Sequence, residues 1–214
     1  MSDFPNFPFK SKFETIFLIF GIYFAAPPLF SRQNSAAPSQ SLPAPMASES
    51  VSLTVVAYSP DEHKDRLRAF HKQYFPTLAY SSTIYDHIAM AGAFSRLVFA
   101  AEKDLMLAAI TCRIEEDAET SPKKLMLHVM TIAVAEEARG HGLASRLLTD
   151  VMDAARAEDG AFSKVHLHVQ TSNKAALNLY RKLGFEVSDK NIVRDYYPPT
   201  IIPRDAYHIS RALS

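Results

Sequence analysis

The chain has 214 residues with 23 acidic and 23 basic side chains, so no bulk charge draws it to nucleic acid or to an anionic membrane. Its 48% apolar and 21% charged content is that of an ordinary soluble domain. A single cysteine, Cys112, rules out an internal disulfide. It lies in the apolar run LAAITCRI, where it reads as a small core residue and a poor nucleophile.

Seven of the thirteen prolines fall in residues 1–45. Residues 27–50 are mostly Pro, Ser and Ala without periodicity, too little apolar surface to offset the entropy of ordering, so disorder is expected there. Ahead of them an uncharged stretch runs from Thr15 to Phe30, interrupted by Pro27 and Pro28. Its continuous apolar part is about a dozen residues, short of the ~20 that span a bilayer. With Lys10 and Lys12 before it and Ala25-Ala26 after, the outline of residues 13–30 is also that of a signal-peptide core or a short membrane anchor. Met46 opens MASES, an ordinary initiator context. The expected organisation is a non-globular leader or misassigned start over residues 1–45, and one domain over residues 46–214.

The elements follow in order. Val51–Tyr58 reads as a strand. Asp61–Tyr74 carries Leu67, Phe70 and Tyr74 at helical spacing and breaks at Phe75-Pro76. A short helix fits Thr83–Ala91, ending at Gly92. Arg96–Ala101 and Leu105–Ile114 are strands joined by a turn at Glu102-Lys103-Asp104. Asp117–Pro122 is a polar loop, and Lys124–Val134 a long strand. Leu143, Leu147, Leu148, Val151, Met152 and Ala155 share one helical face, with Gly160 just past its end. KVHLHVQ, Lys164–Gln170, alternates as a strand should. Thr171-Ser172-Asn173 offers an N-cap for a helix to Leu183, stopped by Gly184. Phe185–Ser188 and Ala206–Ala212 are the expected final strands.

Two of only six glycines stand at Gly140 and Gly142, between the long strand and the helix that follows. A helix N-terminus offers unpaired N–H groups and partial positive charge, so removing side chains there makes room for an anion such as phosphate. A tight turn with nothing bound is the alternative. A P-loop would need Gly-Lys-Ser/Thr, but Leu143-Ala144-Ser145 follows Gly142. A dinucleotide fingerprint would need a third glycine where Ser145 stands, and it would follow the first strand of a βαβ unit.

What remains is Arg139-x-x-Gly142-x-Ala144. It resembles the pyrophosphate loop of the GNAT acyltransferases, and the element order matches their α/β fold, a mixed sheet of about seven strands with about four helices. LHVQTSNKAALNLYRKLGFE, the pair Tyr196-Tyr197, MTIAV and Phe75-Pro76 resemble the NatE-type catalytic subunits of protein N-terminal acetyltransferases. The likeness spans about residues 51–212. It implies acetyl-CoA as cosubstrate, held at the pyrophosphate by Arg139, Gly140, His141, Gly142, Leu143 and Ala144. It also implies that Ile132, Ala133 and Val134 supply strand amides and that Asn173 contacts the pantetheine arm. N-terminal peptides of proteins are the implied partner, with a larger acetyltransferase complex as a further one. Direct nucleic-acid binding is not implied, and the expected compartment is the cytoplasm, with the nucleus as the alternative.

Acetyl transfer to an amine must remove a proton from nitrogen and supply one to the leaving thiolate. An α-amine, with a pKa of about 7.7–8.0, needs only a weak base. His166 and His168 share one strand face, and histidine suits the task. A structural histidine is the alternative, and a metal at His-x-His lacks an evident third ligand. The resemblance assigns the base to His168, acting through a water, and the thiolate's proton donor to Tyr180. In the resembled enzymes a tyrosine partners this histidine, whereas His128 stands there in this chain. His128 either binds the same water or serves as the base itself. Phe75, Pro76, Tyr80, Met130, Tyr196 and Tyr197 are the implied slot for a peptide beginning with Met and an apolar residue. Arg194 and Arg204 nearby read as solvated charges. Two other outcomes fit the residues: a GNAT activity on lysine side chains or a small amine, and a weakly active CoA-binding scaffold.

Overall fold

A computed structural model describes residues 52–77, 80–101 and 105–213. The expected leader and the turn at residues 102–104 lie outside the described residues. Seven strands form one mixed sheet in the order β1-β2-β3-β4-β5-β7-β6. They are β1 Leu53–Ala57, β2 Arg96–Ala100, β3 Leu105–Asp117, β4 Lys124–Val134, β5 Phe162–Gln170, β6 Ile192–Val193 and β7 Ala206–Ala212. The four helices are α1 Pro60–Tyr74, α2 Ser82–Met90, α3 Leu143–Arg156 and α4 Lys174–Lys182. Among the described residues no helix is long and apolar enough to cross a membrane.

The sheet has a helical layer on each face. Leu143, Leu147, Leu148, Val151, Met152 and Ala155 of α3 are all buried, and with Leu177 and Tyr180 of α4 they pack on Cys112, Val129, Val165 and Leu167. The opposite face takes Leu67 and Phe70 of α1 and Ile84 and Ile88 of α2, against Leu97, Ala109 and Met130. Strand alternation thus sorts the sheet's side chains into two cores.

Two departures from alternation and pairing create the site. In the β3–β4 ladder Thr111 faces Thr131 but Cys112 faces Val129, so Met130 is the extra residue of a bulge. Accordingly Val129 and Ile132 join one core while Met130 and Ala133 join the other. The second departure is between β4 and β5. They pair in parallel only from Leu125↔Phe162 to His128↔His166, and both strands run on past that last rung.

Two expectations need correction. Phe185–Ser188 is not a strand: Glu186 makes only a lone bridge to Ser210. Gly184 turns the chain at φ +77°, and Ser188 caps a short 3-10 turn through Lys190 N–H, so Ile192–Val193 becomes the sixth strand. The third strand continues past Ile114 to Asp117, because its partner β4 is long enough to pair Asp117 with Lys124. Arg194 and Arg204 stay at the surface, as expected of solvated charges, and each is ion-paired. Arg194 pairs with Asp205, and Arg204 pairs with Asp195 at 2.7 Å while its Nε donates to Tyr197 O at 3.0 Å, which staples the loop before β7.

Candidate active site

The glycine loop links the end of β4 to α3. Gly140 and Gly142 have φ of +80° and +76°, a region that side chains with a Cβ rarely enter. Gly142 is the N-cap of α3 and gives no side-chain cap, and the first turn contains no acidic residue. A Cβ built on either glycine would meet nothing within 4 Å, so the space over these amides is open. Gly140, His141 and Gly142 are exposed, Ala144 is half-buried, and Leu143 points its side chain into the core, so Leu143 can offer only its amide. Arg139 folds back on the loop, its Nε donating to Val134 O at 3.2 Å. This is a helix terminus left uncapped and electropositive, which fits a phosphate group.

The histidines gather where β4 and β5 part. His128 is 3% exposed, and its ring lies 4.5 Å from that of His166 and 5.6 Å from that of His168. His168 stacks on Tyr196 at 4.3 Å and on His208 at 4.7 Å. The cross-strand registers His128↔His166 and His168↔His208 bring them together, so four of the chain's eight histidines form one belt. Burial favours the neutral form of two of them: it lowers the pKa of His128 to about 4 and that of His168 to about 2. His128 Nε2 and His168 Nδ1 are both buried without a hydrogen-bond partner among the described residues.

Glu115 organises this belt. Its Oε1 lies 3.1 Å from His128 Nδ1, and Arg113 Nε donates to the same oxygen at 2.6 Å. Burial alone would raise the Glu115 pKa, but a hydrogen bond from His128, the adjacent His166 ring and the Arg113 charge hold it well below the usual carboxylate range. An ionised Glu115 favours the proton on His128 Nδ1 and leaves the Nε2 lone pair available.

Tyr180 is fully buried on α4, its ring 5.5 Å from Phe185. Burial, and then Tyr197, raises its pKa well above the ordinary value, so the hydroxyl keeps its proton. Tyr197 also acts on Tyr80, whose pKa burial raises strongly. On the α1–α2 side Arg68, Lys72, Phe75, Pro76, Tyr80 and Tyr85 line a groove of about 270 Å³. Of the expected peptide slot, Phe75, Pro76 and Tyr80 line this groove, while Met130 and Tyr197 are buried and Tyr196 is half-buried. Asn173 caps α4, its Oδ1 accepting from Ala176 N–H at 3.1 Å. Cys112 is fully buried and burial pushes its thiol up, which disqualifies it as a nucleophile.

Sequence reasoning missed Glu115 and His208, and it found no third ligand beside His-x-His. Glu115, His128 and His166 in fact offer ligand atoms within 4.8 Å of one another. It also missed His71, which lies 3.1 Å from Thr131 Oγ1 and 3.2 Å from Tyr85 OH beside the bulge. The only sequence signal for Glu115 was its place two residues beyond Arg113, and it needed the true length of β3 to be read.

An α/β sheet with a bulged fourth strand, a parting between β4 and β5, and an uncapped glycine loop defines an acyl-CoA-type acyltransferase architecture. The chain belongs to the acetyltransferase (GNAT) family, whose description matches residues 61–185. It is similar to N-alpha-acetyltransferase 50 of Danio rerio, with 28% identity over 69% of this chain and 82% of that protein. It is also 28% identical to the probable N-acetyltransferase san of Drosophila melanogaster, over 69% of this chain and 74% of that one. The structure of Arabidopsis thaliana Naa50 in complex with the bisubstrate analogue CoA-Ac-MVNAL superposes with a TM-score of 0.65 and 31% identity, covering 75% of this chain and 99% of that one.

Proposed function

We propose that this acetyltransferase transfers acetyl from acetyl-CoA to the free α-amine of protein N-termini, with a preference for Met followed by an apolar residue. The observation that carries the reading is the pair of buried, unpartnered nitrogens, His128 Nε2 and His168 Nδ1, at the parting of β4 and β5. The relatives named for N-terminal acetylation, and the Met-Val start of the peptide in the Arabidopsis complex, support it.

Acetyl-CoA supplies the acetyl group as a thioester. The amides of Gly140–Ala144 hold its phosphates, and the free edge of β4 at Ile132–Val134 aligns the arm. Phe75, Met130 and the paired tyrosines seat the first residues of the peptide. A neutral histidine of depressed pKa does not strip a proton from an ammonium ion. It accepts one from an amine that is already free and whose acidity rises as the C–N bond forms. His128 Nε2 or His168 Nδ1 receives that proton, directly or through a solvent molecule, while Glu115 holds His128 in the required tautomer. The C–S bond breaks, and the Tyr180 hydroxyl holds the proton that the departing sulfur needs. The same reading places the working domain at residues 46–214, in the cytoplasm.

Peptides beginning Met-Leu, with free and with blocked α-amines, test it. Turnover of the free peptide and none of the blocked one is expected. Equal turnover of a blocked peptide bearing an internal lysine would replace the reading with lysine acetylation.

A further inference from the structure

We infer that Glu115, His128 and His166 form a divalent-metal site, suited to Zn2+, whose occupation silences the enzyme. The silencing rests on the reading of His128 given above; the site itself does not. Two imidazoles and a carboxylate are a zinc donor set, and a tetrahedral ion with bonds of roughly 2.0–2.2 Å holds its ligand atoms a little over 3 Å apart. Here His128 Nδ1 lies 3.1 Å from Glu115 Oε1, and His166 Nε2 lies 3.2 Å from Glu115 Oε2. The donors already stand at nearly the spacing a metal would impose.

His166 is the telling residue. It is 5% exposed, and its Nε2 is buried beside a carboxylate oxygen yet makes no hydrogen bond. Its other nitrogen, Nδ1, lies 3.1 Å from His208 Nε2. A proton on Nδ1 donated to His208 leaves the Nε2 lone pair facing Glu115. That is the tautomer of a ligating histidine whose second nitrogen is held by a partner. Two electron-rich atoms facing each other in a buried place call for a cation between them.

The protein sets a cation of its own against the other oxygen of the same carboxylate. Arg113 Nη2 pairs with Glu115 Oε1 and lies 3.2 Å from His128 Nδ1. Its side chain is 25% exposed, so it has solvent to retreat into. Arg113 is therefore the internal competitor of the metal. Zinc bound at His128 Nδ1 forces the ring proton onto Nε2, one of the two acceptors of the proposed proton transfer, and it takes Glu115 away from its positioning task. Both effects stop proton removal without touching the glycine loop.

Zn2+ titration of the full chain against a chromophoric chelator, and the visible spectrum of a Co2+ complex, read the site without any turnover. One equivalent is expected to bind, with the intense bands of tetrahedral cobalt. His166→Ala should weaken binding by about 100-fold and His208→Ala, an exposed position safe for folding, by about 10-fold. Arg113→Ala should tighten it several-fold, because a like charge is removed. Turnover of a Met-Leu peptide should fall in proportion to zinc bound and return on chelation. Absence of stoichiometric binding, or equal binding by wild type and both histidine variants, overturns the site. Zinc bound with turnover intact overturns the silencing. An enzyme that acetylates no N-terminal peptide removes the function reading but leaves the binding test standing.

Discussion

On the proposed reading the glycine loop and the histidine belt work by opposite means. The loop is six consecutive residues, Arg139–Ala144, that would act through backbone amides cleared by two glycines. The belt is five side chains from β3, β4, β5 and β7, two of them buried and one, His208, exposed, that on the proposed reading would act through ring nitrogens and one carboxylate. A backbone site tolerates changes that spare its dihedrals and its open space. A buried polar network does not, because each member left unpaired costs free energy. The difference predicts where each region is fragile.

Catalysis should break first at the belt. His168→Ala is expected to lower kcat by about 100-fold with little change in KM, in the range of a lost general base. His128→Tyr should retain activity, since a phenol can offer a hydrogen bond at the same depth, whereas His128→Phe should be poor. The double alanine variant should be little worse than the worse single one if both residues serve one proton transfer. Strictly multiplicative losses in kcat would show two separate functions. The loop should break more selectively. Gly142→Glu places a carboxylate in the open space over the amides and should weaken acetyl-CoA binding by more than tenfold, about 1.4 kcal/mol. Gly142→Ala meets no atom and is strained only by its φ of +76°, so it should lose far less. Similar losses in the two variants by calorimetry would assign the loop's role to shape rather than to anion binding.

The same contrast explains what could be read in the sequence. The loop was legible because its residues are neighbours and glycine is scarce. The strand Lys124–Val134, the face of α3 and the strand Ala206–Ala212 were legible because period and turn residues agree. Glu115 was not, since its meaning comes from lying across the ladder from Met126 and beside two histidines on other strands. The sixth strand was missed for a related reason. VSDKNIV has no strong alternation, and Ile192–Val193 is a strand only because β7 offers Tyr207 and Ala206 as partners. The bulge at Met130 left no local mark either, for MTIAV reads as an unbroken strand.

Glu115→Gln sharpens the comparison from within the belt. The amide keeps size and one acceptor but removes the charge that favours the proton on His128 Nδ1. The loss expected is about tenfold in kcat, smaller than at His168, with KM for the peptide unchanged. His128→Tyr has no ring tautomer to set, so Glu115→Gln in that background should cost much less. A full tenfold loss there, measured under saturating acetyl-CoA, would make Glu115 a structural residue and not a positioning one.

His71 gives the smallest effect and a control outside the belt. It is 1% exposed, and burial lowers its pKa to about 3. In the unfolded chain it titrates near the ordinary value of about 6.5. Below that pH the unfolded state binds a proton that the folded state refuses, so unfolding is favoured as pH falls. The stability contributed by keeping His71 neutral is complete above about pH 6.5 and is lost towards pH 3, by at most ~1.4 kcal/mol per pH unit. His71→Gln keeps a polar group near Tyr85 and Thr131 but cannot titrate. Its midpoint temperature should therefore be lower than wild type at pH 7 and should fall less steeply between pH 6.5 and pH 5. Other buried histidines act equally in both proteins, so the difference between the two curves isolates this residue. Parallel curves would mean that His71 takes up a proton in the fold, with Tyr85 and Thr131 yielding to accommodate it, and that burial is not what governs the neutral state of histidines in this protein.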